Sequence, residues 1–164
     1  MLTVPLAPIT RAAFAPFGQL LDTPGDRPRV DQVAALRNAR AGAQPNMAVT
    51  RALPAALPFR VRALERHEFS SQAFLPLDVA RYLVLVAPDK DDAPDLTGLR
   101  AFAVPGTVGI NYLAGTWHHG LTSLDSPGIF ALFDWEDGTA GDVDIRPVES
   151  PVLVVAAQAL SMGQ

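Results

Sequence analysis

Gly109-Ile110-Asn111-Tyr112-Leu113-Ala114-Gly115-Thr116-Trp117-His118-His119-Gly120 gathers two of the chain's three histidines, one of its two tryptophans and one of its two tyrosines between glycines that let the backbone bend sharply. Val108 to Leu113 alternates loosely, as a half-buried strand does, and Ile129 to Phe133 resumes a strand of Ile, Phe, Ala, Leu and Phe. His118 is therefore expected where one strand hands over to another. A lone histidine there is more often packed or solvent-facing than functional, so its meaning depends on what the rest of the chain brings to it.

Upstream the chain reads as short strands. Arg100 to Val104 is one, turned by Pro105-Gly106-Thr107, and Arg81 to Ala87 is the strongest, a continuous apolar run that predicts burial on both faces. Between them Pro88 to Pro94 reads as a solvated, aspartate-rich loop, and Asp95 caps a single turn through Leu99. Phe59 to His67 alternates, with Val61, Ala63, Glu65 and His67 on one face; Glu68 to Ser71 turns; Gln72 to Leu77 extends. Met47 to Ala52 is a further strand, whereas Asp22 to Pro45 mixes turn chemistry with an Ala- and Arg-rich piece around Val33 to Arg40 that fits helix, strand or loop. Leu2 to Leu6 reads as an edge strand, and Thr10 to Gly18 as a short helix capped by Thr10, with Phe14 and Phe17 on one face and Gln19 opening the next strand. Downstream, Asp134 to Asp142 is expected to be a loop, followed by strands at Val143 to Arg146 and Val152 to Val155. Strands at spacings of roughly 8 to 12 residues with little helix predict an all-β barrel or sandwich. We read residues 1–164 as a single domain.

Composition narrows the function. A hydrophobic fraction of 49% with 18% charged residues describes an ordered globular chain. A net charge of -4, with Arg and Lys scattered, gives no basic field for nucleic acid or anionic lipid, so neither is expected as a partner. The absence of cysteine excludes disulfides, thiolate nucleophiles and Cys-based metal sites. The first residues lack a signal-peptide pattern and the apolar Val152 to Leu160 is too short to span a bilayer, so a cytoplasmic protein is expected.

Glu65-x-His67 followed by Gln72 is the second polar cluster. The odd step from 67 to 72 needs the turn at Glu68 to Ser71 to bring Gln72 back beside the other two. This spacing resembles the first cupin motif, His-x-His then Glu, which binds a metal inside a small barrel; Gly115-x-x-His118 resembles the second, whose histidine completes the site. With Glu65 and Gln72 in place of the usual His and Glu, the mixed N and O donors of Glu65, His67, Gln72 and His118 suit Ni, Zn, Mn or Fe in the +2 state, with Ni, Mn or Zn the expected ions, and a metal-free polar pocket is the other reading. At greater length, Leu64 to Leu77 and Gly109 to His119 resemble the two signature blocks of the ureidoglycolate lyase family, as do Phe14 to Gly18, Val84 to Pro88 and Pro94 to Phe102.

The resemblance implies a cupin-like β-barrel (double-stranded β-helix) with one or two short helices, a homodimer and cleavage of ureidoglycolate to glyoxylate and urea, a step of allantoin (purine) breakdown. It departs from the family pattern at Asp31, Gln32, Val33, Leu113 and Trp135, positions where polar groups usually stand. Two other readings therefore stay open: a cupin-like enzyme for a different small hydroxy or ureido acid, and a non-catalytic small-molecule binder. The expected catalytic residues are His118, His67 and Glu65, with His118 as base or ligand; Tyr112, Asn111, Gln72 and Arg37 are expected at a small anionic substrate. Arg81 and Arg100 are further candidates for its carboxylate, at least two of the three arginines being surface residues, and His119 is expected to point away from His118. The apolar Val152 to Leu160 is the expected contribution to a dimer interface.

Overall fold

Alternation of apolar and polar side chains turns this sequence into fourteen strands and one four-residue helix in a computed structural model that describes residues 1–32 and 36–157. They are β1 (Leu2–Pro8), α1 (Arg11–Phe14), β2 (Gly18–Asp22), β3 (Gln44–Ala52), β4 (Phe59–Arg66), β5 (Gln72–Asp78), β6 (Arg81–Ala87), β7 (Asp89–Lys90), β8 (Ala93–Pro94), β9 (Arg100–Pro105), β10 (Val108–Tyr112), β11 (Trp117–His118), β12 (Thr122–Leu124), β13 (Gly128–Glu136) and β14 (Asp144–Ala156). The first sheet runs β11-β4-β14-β1-β9-β6-β12, and β11 also pairs β6, so β4, β14, β1, β9, β6 and β11 close into a ring. The second sheet, β2-β10-β5-β13-β3, packs against one side of that ring. The fold is all-β and cupin-like, as expected, and among the described residues no helix is long and apolar enough to cross a membrane.

β6 shows why there are two cores. Leu83, Leu85 and Ala87 point into the ring, meeting Val4, Val61, Leu64, Ala101, Trp117, Val152 and Val154. Tyr82, Val84 and Val86 point the other way, onto Phe74, Ile110, Tyr112 and Phe130 of the second sheet and onto Phe14 and Phe17. The continuous apolar run thus is buried on both faces, at about 1.5–3 kcal/mol for each large side chain. Thr10 caps α1 by accepting from the Ala13 amide, and Asp95 caps the turn Leu96–Gly98, both as the residue types predict.

Several expectations change. β1 is not an edge strand: it pairs β14 over Leu2 to Leu6 and β9 over Leu6 to Pro8, in parallel on both sides. Because the two neighbours take successive halves of it, Pro5 has a paired neighbour on one side only, which is how a proline fits there. The face Val61, Ala63, Glu65, His67 is broken: Val61 and Leu64, an odd step apart, share the ring core, and the ladder with β14 shifts register between Pro147 and Val152. The same shift joins the two expected C-terminal strands into one. Val152 and Val154 fill the ring instead of an outer interface, and residues 158–160 lie outside the described residues, as does Val33. Pro88 to Pro94 is a β7–β8 hairpin, whose Asp89 and Asp92, together with Asp144, pair the guanidinium of Arg66; that guanidinium lies 4.5 Å from the Trp117 ring centroid. β13 extends through Asp134 and Trp135 to Glu136, so only the end of the segment expected as a loop is one.

Candidate metal and catalytic site

Three side chains converge where β4 and β11 meet. His118 pairs Glu65 across the antiparallel ladder, and His67 follows β4 by one residue. Their candidate ligand atoms all lie within 4.8 Å of one another. Trp117 and Leu64, the chain neighbours of His118 and Glu65, point into the ring. Alternation therefore sends His118 and Glu65 to its outside, under the second sheet, and the site is not in the ring interior, which is apolar.

Local chemistry orients each group. Gly115, at φ +81°, takes a conformation that suits glycine, and its amide donates to the His67 carbonyl at 2.8 Å. The next residue supplies the Thr116 carbonyl, 2.8 Å from His118 Nδ1, while the Asp142 carbonyl lies 2.8 Å from His67 Nδ1. A carbonyl only accepts, so both Nδ1 atoms carry a proton, and in the neutral form of each ring Nε2 bears the lone pair. Both Nε2 atoms are buried without a hydrogen-bond partner, and that of His118 stands 3.6 Å from Glu65 Oε1. Tyr112 covers His118, with ring centroids 4.1 Å apart and planes 18° from parallel; the His67 and His118 centroids are 5.7 Å apart.

Burial lowers the His118 pKa to about 3, so the ring stays neutral. Burial also raises Glu65 above the ordinary carboxylate value, an effect His67 partly offsets. The Tyr112 phenol is pushed far up by burial and then by the Glu65 charge, so it stays protonated.

Gln72 opens β5 in the second sheet. It pairs Tyr112 in register, on the inner face of the second sheet; its Nε2 donates to Asp134 Oδ2 at 3.1 Å and its Oε1 is buried without a hydrogen-bond partner. The turn before it is held by Ser71 Oγ, which accepts from the Arg37 amide at 2.9 Å, and by Ser70 Oγ, which accepts from the Trp135 amide at 2.9 Å. Asn111, next to Tyr112 on β10, belongs to the opposite face of that strand and is buried. The Arg37 side chain is exposed, near Gln72 only through its backbone. Arg81 is committed to Asp125 through two 2.7 Å bonds, and Arg100 donates to the Ala13 carbonyl at 3.2 Å. His119 points away from His118, edge-on to Phe59 at 5.1 Å. Of the departures from the family pattern, Trp135 packs on Phe133 at 4.9 Å, on the face opposite Asp134, Asp31 pairs Arg29, and Gln32 donates to the Asp22 carbonyl at 2.7 Å.

The donor set of Glu65, His67 and His118 fits a divalent cation: two imidazole lone pairs and a carboxylate, with each histidine fixed through its other nitrogen in the way that orients metal ligands. Sequence reasoning missed the residues that do the fixing. Asp134 looked like loop chemistry, and the Thr116 and Asp142 carbonyls are backbone atoms that no side-chain pattern reveals.

Comparison with known proteins follows the same line. The family model described as ureidoglycolate lyase matches residues 1–155. A ureidoglycolate lyase of Burkholderia mallei (strain NCTC 10229) is 40% identical over 143 residues, covering 82% of this chain and 83% of its own. One from Burkholderia cepacia is 38% identical over 151 residues, 86% and 84% of the two chains. One from Pseudomonas fluorescens (strain SBW25) is 35% identical over 153 residues, 88% and 90%.

Proposed function

The chain belongs to the ureidoglycolate lyase family, and from that premise we propose that it is a lyase cleaving ureidoglycolate to glyoxylate and urea. The observation that carries the site assignment is the convergence of Glu65, His67 and His118, with both Nε2 lone pairs unspent. The two other readings, a different hydroxy or ureido acid and a non-catalytic binder, find no support in the relatives.

Ureidoglycolate carries a carboxylate, a hydroxyl and a urea nitrogen on one carbon. Cleavage removes the hydroxyl proton as the carbonyl of glyoxylate forms, breaks the C–N bond and protonates the departing nitrogen. Without a cation, Glu65 fits the proton carrier: burial raises its affinity for a proton, so its carboxylate takes the hydroxyl proton and returns it to the urea nitrogen. His118, with its pKa held near about 3, is a poor base and a good lone-pair donor, which makes it a ligand. His67 and His118 through Nε2, with Glu65 and Gln72, would hold Ni, Mn or Zn. When bound, such an ion supplies Lewis acidity toward the substrate's hydroxyl and carboxylate oxygens. Tyr112 shields the His118 ring from water.

The same reading makes the protein a cytoplasmic homodimer of the purine-degrading allantoin route, which suits a chain without cysteine. The outer face of the second sheet supports the dimer. Val49, Ala131 and Leu75 line up across it, Met47 and Phe133 form the next row, and Met47, Val49 and Leu75 are exposed.

The test is glyoxylate release from ureidoglycolate by purified protein, alongside a panel of other hydroxy and ureido acids. Turnover confined to ureidoglycolate is expected, with kcat reduced about 10²–10⁴-fold in Glu65→Gln. Turnover of a different acid, or an unimpaired Glu65→Gln, would overturn the reading.

A further inference from the structure

Resting on the reading that the site takes a divalent cation, we propose that Asp134 is a positioning residue: by accepting from the Gln72 amide nitrogen it fixes which end of that amide is left for the ion. A glutamine amide has a donor end and an acceptor end of nearly equal size, and what holds one end decides what the other presents. Asp134 is 1% exposed and Gln72 5% exposed. An ionised carboxylate accepts only. Its Oδ1 takes Asn46 Nδ2 at 3.0 Å and its Oδ2 takes Gln72 Nε2 at 3.1 Å. The Gln72 carbonyl is thereby turned from Asp134 and left buried without a hydrogen-bond partner, beside Tyr112, whose ring lies on His118.

The two histidines are set by the same device. The Asp142 and Thr116 carbonyls hold the Nδ1 protons and leave the Nε2 lone pairs. Asp134 is the side-chain member of this set of acceptors. In Asp134→Asn the new amide nitrogen must face either Asn46 or Gln72. Asn46 is also hydrogen-bonded to Glu136, so Gln72 is the one that turns, and it then offers NH₂ where it had offered oxygen.

This predicts a loss of metal affinity that depends on the residue at position 72, which a merely structural role does not produce. Ni²⁺ is titrated calorimetrically into chelator-treated wild type, D134N, Q72E and D134N/Q72E, with circular dichroism to check the fold. D134N should weaken Ni²⁺ binding by about 10-fold or more, the usual scale for a group that orients a ligand. In the Q72E background both oxygens at position 72 accept, so no orientation is left for Asp134 to impose and only the loss of its charge remains. There D134N should weaken Ni²⁺ binding by a clearly smaller factor than with Gln72 in place. An equal loss in both backgrounds, or none in either, overturns the role of Asp134 while leaving the cation site standing. Wild type that binds no Ni²⁺ removes the cation reading and this inference together. Should D134N not fold, Asp134→Ala takes its place in both backgrounds, with the same expectation.

Discussion

Glu65 Oε1 and His118 Nε2 face each other at 3.6 Å across the pair of β4 and β11, too far for a good hydrogen bond and close enough to ligate one ion. The carboxylate is 29% exposed and the imidazole 2%, so solvent reaches the pair from the Glu65 side. A substrate entering from that side meets the group with the raised proton affinity first.

Replacing His118 by Ala should remove metal binding and lower kcat/KM by about 10²-fold or more, the scale of losing a group central to the chemistry. The ring packs under Tyr112, so a lower melting temperature with an unchanged far-UV spectrum is expected as well. Steady-state kinetics and thermal melts check this; near-normal turnover would refute the assignment.

In metal-free protein His118 should make stability depend on pH. Its ordinary pKa of 6.5 applies to the unfolded chain and falls to about 3 in the fold. Between those values the unfolded state binds the proton and the folded state does not, so stability falls as pH falls, by up to about 1.4 kcal/mol per pH unit from this group. Urea midpoints between roughly pH 4 and pH 7 should show this slope reduced in His118→Asn; identical slopes would contradict it.

Arg66 should matter for stability and not for chemistry. Its guanidinium lies over Trp117 and pairs Asp89, Asp92 and Asp144, whose side chains are 49%, 74% and 30% exposed. That exposure weakens the pairs, so Arg66→Ala should cost about 2–3 kcal/mol, below the range for a fully buried pair, and Arg66→Lys should recover only part of it. Denaturant midpoints with the kcat of each folded variant test this; a large loss of kcat at full stability would show a catalytic role instead.

The proposed dimer should come apart when its apolar face is charged. Val49→Lys with Leu75→Lys places like charges in one row of the outer sheet face, and light scattering should report a monomer where wild type is a dimer. A monomeric wild type, or an undisturbed dimer in the variant, would place the interface elsewhere or remove it.

Where one physical signal decided an element, the sequence could be read. β6 announced burial on both faces by its continuous apolar run, and Thr10 and Asp95 announced their caps. What could not be read depended on partners distant in sequence. The register shift of β14 moved Val61 and Glu65 out of one face, and the two half-length neighbours of β1 let a proline stand inside a sheet. Asp134 sits in Asp-Trp-Glu-Asp-Gly, which has the composition of a turn. Only the partners Asn46 and Gln72 from other strands offset the cost of burying it.

Glu65, His67, Gln72 and His118 are proposed to form a cation site that serves ureidoglycolate cleavage. Its most direct test is glyoxylate release from ureidoglycolate by protein stripped with a chelator, then titrated with Ni, Mn or Zn. Activity should be lost on stripping and return with one equivalent of metal per chain in wild type but not in His118→Ala. Full activity after rigorous stripping would contradict the cation site while leaving the lyase.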